Sequence, residues 1–217
     1  VINHLNIKSF TENPSMGTWN REQFYDETPY RVGAYVQDKL EFEGFIANVG
    51  LRMDLTDANS KVFDLDEYSK MYSAGYGNKL EDEAPTKDSE AKWAFSPRLG
   101  ISHPISVNSK LYFNYGHFQA EPQSSYRFRL QRESNGLVTS IGNPDLEMEK
   151  TIAYELGYEH SILDLYLVKI AAFYKDVSNQ YSSIYYQNIS GSVAYYRYEN
   201  NSYADIRGLE LTLYKRQ

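Results

Sequence analysis

The chain has 217 residues, among them 21 Tyr, 10 Phe and no Cys, and its formal net charge is −7 at pH 7. An acidic chain without a dominant basic patch argues against a nucleic-acid binder, which needs cations to meet phosphates. The absence of Cys excludes disulfides, thiolate zinc sites and cysteine nucleophiles. No run of about 18 apolar residues predicts a transmembrane helix, whereas the Tyr content favours half-buried strands.

A first hairpin is predicted in residues 31–54. Apolar and polar residues alternate along 31–42 and again along 45–54, and Glu43-Gly44 between them is typical of a two-residue turn. The apolar face carries Val32, Ala34, Val36, Leu40 and Phe42 in one strand and Phe45, Ala47, Val49, Leu51 and Met53 in the other. Asp38 interrupts this face near the turn.

Two further hairpins and a last single strand follow in chain order. Residues 92–102 and 110–118 predict a second hairpin with a link at 104–109, and Pro97, which lacks a ladder donor, predicts a bulge or irregular pairing. Residues 151–160 and 163–176 predict a third hairpin that turns around 160–162. With a last strand at 203–216 and a weaker one near 3–10, the sequence predicts about eight strands of the length that a tilted membrane strand needs.

The connections sort by length. The three turns are short, whereas polar stretches at 10–29, 57–91, 119–149 and 177–202 are far longer than ordinary loops. Successive connections of a meander alternate between its two ends, so short turns lie at one end and long loops at the other. A soluble β-sandwich, such as an adhesin, has no reason for this sorting, whereas an antiparallel transmembrane β-barrel has one.

In such a barrel the apolar faces meet lipid and the opposite faces line a polar lumen. The charged residues expected in the lumen are Arg52, Asp54, Arg98, Glu155, Lys169 and Glu210.

One long loop has a composition suited to ligand binding. Arginines alternate with apolar residues ahead of a turn at 134–136, which predicts a hairpin that offers guanidinium groups and aromatic rings to an anionic ligand. The residues concerned are Tyr126, Arg127, Phe128, Arg129 and Arg132. A solvated loop, or a contact to lipopolysaccharide phosphates, explains the same pattern. The Tyr-rich stretch 178–203 suits sugar stacking, but its alternation favours a protruding strand pair.

Catalytic and metal-binding signatures are missing from the sequence. The four His residues lack metal-ligand spacing, and neither a Ser-His-Asp order nor a Gly-rich phosphate loop occurs. The acidic stretch 54–67 lacks the Gly of a calcium loop. We therefore expect no enzyme activity, no metal and no cofactor.

Residues 142–160, GNPDLEMEKTIAYELGYEH, closely resemble a motif of TonB-dependent outer-membrane receptors in which the chain leaves an extracellular loop and descends as a strand. The matching residues are Asn143, Pro144, Leu146, Glu149, Tyr154, Glu155 and Gly157. Residues 34–54, 95–118, 171–179 and 206–213 resemble other barrel strands of the family, in the family's order. The Pro-Arg strand and the long aromatic loop are similar to those of receptors of the Bacteroidota, although Met148 stands where their glycan importers often have Trp.

The resemblance implies a Gram-negative outer-membrane receptor that imports a scarce solute, such as a siderophore, cobalamin, an oligosaccharide or a peptide. It implies a barrel of about 22 strands, of which residues 1–217 form a consecutive part, with the plug domain and the other strands outside this chain. The lumenal charges would then either hold the plug or simply solvate the channel. The implied partners are outer-membrane lipid and lipopolysaccharide, the TonB complex, the rest of the barrel and other surface proteins. A passive porin or a structural barrel in a larger surface complex is the alternative function.

Overall fold

The computed structural model describes residues 5–11 and 21–215, and strands dominate it. In chain order the strands are β1 (Leu5–Thr11), β2 (Arg21–Glu27), β3 (Tyr30–Phe42), β4 (Phe45–Asp57), β5 (Lys61–Phe63), β6 (Thr86–Asp88), β7 (Lys92–Ser106), β8 (Ser109–Ala120), β9 (Leu130–Arg132), β10 (Val138–Ile141), β11 (Glu149–Ile162), β12 (Tyr166–Gln187) and β13 (Ala194–Lys215). The helices are α1 (Leu80–Glu83) and α2 (Ser124–Phe128), with 3₁₀ turns at Lys70–Tyr72 and Gly77–Lys79. No helix in the described ranges has the length and apolarity that a membrane crossing requires.

The main sheet has nine strands in the order β3-β4-β7-β8-β11-β12-β13-β10-β9 and curls into a half-barrel. Its first seven strands follow one another in chain order and each pairs antiparallel with the next strand in the sheet, so the predicted all-β meander is confirmed. Residues 5–11 are a strand, as expected, but β1 pairs with β2 in a separate two-stranded sheet. The prediction of about eight strands therefore corresponds to seven in the meander and one beside it.

The three tight turns lie at one end of the sheet. Glu43-Gly44 joins β3 to β4 as predicted, and Gly44 has a φ of 96°, in the region that favours glycine. The link predicted at 104–109 is only Val107-Asn108, because β7 continues to Ser106. The third turn was placed too early: His160 and Ile162 pair within the ladder, and the chain reverses at 163–165, where Leu163 and Asp164 have φ values of 52° and 56°.

The bulge predicted at Pro97 was wrong. Pro97 is in register with Leu51 of β4 without a shift, and pairing of β7 with β8 extends only from Arg98 toward the turn. Since β7 has no β8 partner at position 97, the missing N–H of Pro97 removes no bond from that ladder. The irregularity falls instead between Pro104 and Ser106, beside the turn.

One face of the meander is apolar and exposed. Leu209, Leu211 and Leu213 of β13 have exposed fractions of 81%, 74% and 65%. Such a contiguous apolar surface is what a lipid-facing sheet requires. On the same face Tyr115, Tyr154 and Tyr174 form a row across three strands, with ring centroids 5.1 and 6.2 Å apart, in the manner of an aromatic girdle.

The opposite end of the sheet carries the long connections, which contain more structure than the sequence suggested. β2 lies within the predicted loop 10–29, whose residues 12–20 are outside the described part of the chain. The stretch 177–202 is a protruding hairpin of β12 and β13, as its alternation indicated. Connections 58–91 and 121–148 contain the short helices and β5, β6, β9 and β10.

The principal hydrophobic core lies among these connections and not inside the half-barrel. Its buried residues are Tyr72, Leu80, Val138, Ile141, Val193 and Tyr195. We call the assembly of residues 58–91, 121–148 and 181–199 the loop cap. Among the described residues, apolar side chains therefore pack against one another chiefly in the loop cap.

Candidate functional site

All six charged residues expected in the lumen lie on the face opposite the apolar one. Cross-strand registers place Arg52 opposite Ser96, and Glu155 opposite Asn114 and Phe173, in one continuous alternation. A concavity of about 1070 Å³ opens on this face and is lined by Arg52, Arg98 and Glu155 among others. The polar face is therefore the inner, concave face of the half-barrel.

At the long-loop end of the concave face, Asp54 is surrounded by two arginines. Its Oδ1 lies 2.7 Å from Arg52 Nη2 and 3.0 Å from Arg31 Nη2, and the Asp54 side chain is only 1% exposed. Arg31 Nε also lies 3.1 Å from Glu121 Oε1, in the connection after β8. Two guanidinium groups thus compensate the burial of one carboxylate and tie the loop cap to the sheet.

A second cluster lies at the tight-turn end. Glu159 Oε2 is 3.1 Å from Lys110 Nζ, and Glu159 Oε1 is 3.0 Å from Lys169 Nζ. The three residues belong to β11, β8 and β12 and are directly opposite one another. This triad satisfies Lys169 within the wall of the half-barrel.

The middle of the concave face has charges without an opposite charge beside them. Glu155 accepts a hydrogen bond from Tyr112, and Arg98 lies over the Phe118 ring at 4.9 Å. Within residues 5–11 and 21–215, neither Glu155 nor Glu210 forms an ion pair. These side chains are available to a partner that enters the concavity.

The hairpin predicted for the arginine-rich segment forms only in part: β9 pairs antiparallel with β10 across the predicted turn at 134–136, where the Gly136 N–H donates to the Glu133 carbonyl. Residues 124–128 form α2, and only 130–132 pair as a strand, with β10. The extended strand predicted for 126–129 from the alternation was wrong, because α2 turns Arg127 and Phe128 into the protein, where they are 4% and 9% exposed. Burial lowers the pKa of the Arg127 guanidinium, whose Nη atoms lie 3.5 Å from Thr56 Oγ1 and whose Nε has no hydrogen-bond partner.

The other three predicted ligand residues lie on two sides of the loop cap. Tyr126 stacks on Tyr198 with ring centroids 4.2 Å apart, and the Arg129 guanidinium lies 5.9 Å from the same ring. Arg132 donates through Nε to the Gly77 carbonyl at 2.8 Å and pairs with Glu81. Tyr126 and Arg129 are thus brought together with Tyr198, whereas Arg132 is engaged in holding two connections together.

Several residues at this end carried no recognisable signal in the sequence. Tyr198 and Tyr181 flank Tyr126, and Tyr181 donates to the Ala120 carbonyl and accepts from the Glu149 N–H. Their role depends on contacts between distant segments. The only local sign was the high Tyr content of 178–203. The described residues contain no group of three or more His, Cys, Asp or Glu that could hold a metal ion.

Comparison with known proteins agrees with this geometry. A double mutant of the Serratia marcescens hemophore receptor HasR, solved with its hemophore HasA and heme, matches with a TM-score of 0.65 and 18% identity over 91% of this chain and 35% of that one. The copper transporter OprC matches with a TM-score of 0.56 and 20% identity, over 88% of this chain and 27% of that one. The siderophore receptor PirA from Pseudomonas aeruginosa matches with a TM-score of 0.57 and 18% identity, over 89% of this chain and 34% of that one.

At these identities the solved structures establish the shared fold, and the chain spans about a third of their length or less. Comparison with curated proteins finds no match. The family model described as TonB dependent receptor-like, beta-barrel, matches residues 4–216, nearly the whole chain. Together with the two-faced half-barrel, this match shows that the chain belongs to the β-barrel family of TonB-dependent receptors.

Proposed function

We propose that this chain is part of the outer-membrane barrel of a Gram-negative TonB-dependent receptor that imports a scarce solute through a plugged lumen. The observation that carries the proposal is the half-barrel itself, with an exposed apolar face and a charged concave face. The exposed edges of a half-barrel are incompatible with lipid, because unpaired backbone groups cannot be satisfied there. The remaining strands of the same barrel are therefore the first partner, and lipid and lipopolysaccharide surround the apolar face.

The comparisons and the loop cap support a proposal for the solute class. The matching solved proteins are named for heme with its hemophore, for copper and for a siderophore. In this chain Arg129, Tyr126 and Tyr198 combine a cation with two aromatic rings. Such a group suits a planar or anionic solute, and a ferric chelate is our leading candidate, ahead of cobalamin, oligosaccharides and peptides.

The predicted ligand set then divides into two roles. Arg129 and Tyr126 would contact the solute, while Arg127, Phe128 and Arg132 would support the segment that presents them. Burial of Arg127 and Phe128 and the bonds of Arg132 to the neighbouring connection favour this division.

The middle of the concave face would hold the plug. Of the six charges predicted for the lumen, Glu155, Glu210 and Arg98 are without an ion pair among the described residues, whereas Arg52, Asp54 and Lys169 are satisfied within the barrel wall. A plug carrying complementary charges would compensate the first group in a lumen where water is partly excluded. Energy for import would reach the receptor through TonB, bound outside residues 1–217.

Uptake by the native bacterium tests the main proposal. The receptor gene is deleted, and uptake of labelled ferric chelates, cobalamin, oligosaccharides and peptides is compared in cells with and without functional TonB. We expect one class of solute to lose uptake in both the deletion strain and the TonB-deficient strain. Uptake that needs the receptor but not TonB, together with swelling of liposomes containing the purified protein, would favour a passive porin instead.

Variants of the full receptor test the two groups of charges. Arg129→Gln should weaken binding of an anionic solute about tenfold or more, whereas Lys79→Gln, which removes a cation from the same cap, should leave it unchanged. The double variant Glu155→Gln/Glu210→Gln should loosen the plug and raise cell sensitivity to a large antibiotic. Glu90→Gln, which removes a carboxylate outside the lumen, is its control.

A further inference from the structure

The three long connections of the half-barrel share a single core. Leu80 comes from the connection between β4 and β7, Val138 from that between β8 and β11, and Tyr195 from the hairpin of β12 and β13; each is 0% exposed. Tyr195 lies at the centre of this core, with the Tyr72 and Tyr186 rings 4.9 and 5.4 Å from its own. None of the three connections buries these side chains alone.

Backbone hydrogen bonds join the same connections. β10 pairs in parallel with β13, with Ser140 opposite Tyr196 and Ile141 opposite Arg197. The Gly75 N–H donates to the Asn135 carbonyl at 2.8 Å, and the Tyr195 hydroxyl donates to the Glu67 carbonyl at 2.9 Å. Main-chain groups of each connection thus depend on another connection for their partners.

A structural boundary separates this unit from the barrel wall. The pairing of β12 with β13 shifts register twice, between Val177 and Gln180 and between Gln180 and Tyr181, and Asn179 has a φ of 58°. β11 pairs with β12 only as far as Ser178. Beyond this residue the hairpin of β12 and β13 therefore continues without β11 beside it. Asn200 satisfies the irregular backbone, since its Nδ2 donates to the Asn179 and Glu147 carbonyls at 2.7 and 3.1 Å.

The loop cap also extends over the concave face. Arg127 contacts Thr56 and Glu121 pairs with Arg31, and both sheet residues lie on the inner face of the half-barrel. The connection that starts at β4 reaches β13, five places further along the curled sheet, through Glu67 and Tyr195. A link between those two strands passes across the concave side.

We infer that the loop cap is one cooperative lid over the mouth of the lumen, bounded by the β-bulge at 177–181, and that its three connections open together and not as independent flaps. Residues in a shared core lose their protection in one step, whereas independent loops exchange separately.

Hydrogen exchange on the full-length receptor in lipid bilayers tests this inference without knowledge of the solute. Tyr195→Ala should speed exchange at least about tenfold in 58–91, 121–148 and 181–199 alike, and leave amides of 167–176 unchanged. Tyr185→Ala is the matched control, because Tyr185 lies in the same hairpin of β12 and β13 but is 49% exposed and outside the core. Faster exchange confined to 181–199 would overturn the inference.

Two further variants keep the test informative if Tyr195→Ala does not assemble. Tyr195→Phe keeps the ring and removes only the bond to the Glu67 carbonyl, and it should speed exchange in all three connections to a smaller, equal extent. A disulfide made by Ser140→Cys with Tyr196→Cys joins two connections that are already strand partners. A thiol reagent is added from the loop side of the membrane to a protein that also carries Thr56→Cys, a buried position in contact with Arg127. If the connections open together, the reagent should label residue 56 at the same rate in the oxidised and the reduced protein. A rate that falls on oxidation and recovers on reduction would show that the loops must separate.

Discussion

The Tyr112 ring covers Gly157 so closely that a Cβ at position 157 would lie 2.1 Å from Tyr112 Cζ. The two residues are directly opposite each other on β8 and β11, on the concave face. Phe173 covers Gly208 in the same way two strands further on, where a Cβ would lie 2.8 Å from Phe173 Cζ. The inner wall therefore places aromatic rings over glycines, a packing that no other residue permits.

Gly157→Ala should destabilise the barrel by about 1–3 kcal/mol, since the Tyr112 ring must leave its position. The temperature at which the folded receptor loses its compact band in gel electrophoresis measures the effect. Gly50→Ala is the control, because a Cβ there meets the Val36 carbonyl at an ordinary 3.5 Å. Equal shifts for the two variants would contradict the packing argument.

Glu159→Gln should cost about 1 kcal/mol, because it leaves Lys110 and Lys169 facing each other without the carboxylate between them. Urea unfolding in lipid bilayers measures the loss, which should shrink at high salt as the repulsion is screened. Adding Lys169→Met should recover part of the stability. A double variant that is no better than Glu159→Gln would show that the triad does not act through charge.

Arg127→Met should keep the loop cap folded and leave its protease resistance equal or higher. The buried guanidinium has only long contacts to Thr56 and an unpartnered Nε, so an apolar side chain of similar length removes a desolvation cost. Arg132→Met should instead lower protease resistance, since it breaks the bond to the Gly77 carbonyl. Limited proteolysis from outside intact cells compares the two variants.

The loop cap should lose stability in alkaline solution. Burial raises the pKa of Tyr181 to about 12 from its ordinary value of 10.0. The unfolded segment releases its proton first, so this contribution is complete below pH 10 and falls as the pH rises through the folded pKa. Tyrosinate absorbance of the parent minus that of Tyr181→Phe should show one group titrating well above ordinary tyrosines. A difference curve centred near pH 10 would contradict the burial.

The local sequence was sufficient for the barrel wall. Alternation in 31–57 and 149–176 has a local cause, because one face of each strand is exposed and apolar while the other lines the charged concavity, and a period of two follows in every strand. The sorting of connections by length also came from the sequence, as did the face of the sheet on which each of the six predicted charges lies. Turn positions were less exact, since Leu163 and Asp164 adopt left-handed conformations that are uncommon outside glycine.

How the connections assemble into the loop cap was decided by tertiary structure. Tyr195 and Glu67 are 128 residues apart, and no periodic pattern in either segment announces their contact. Contacts between distant segments also bury 124–128, where Phe128 packs with Ala58 and Arg127 contacts Thr56, although alternation there favoured a strand. In the wall, successive residues of a strand face two different environments, so the local sequence pattern predicts the structure. A core assembled from three separate connections depends instead on which distant side chains come into contact, and no local pattern records this.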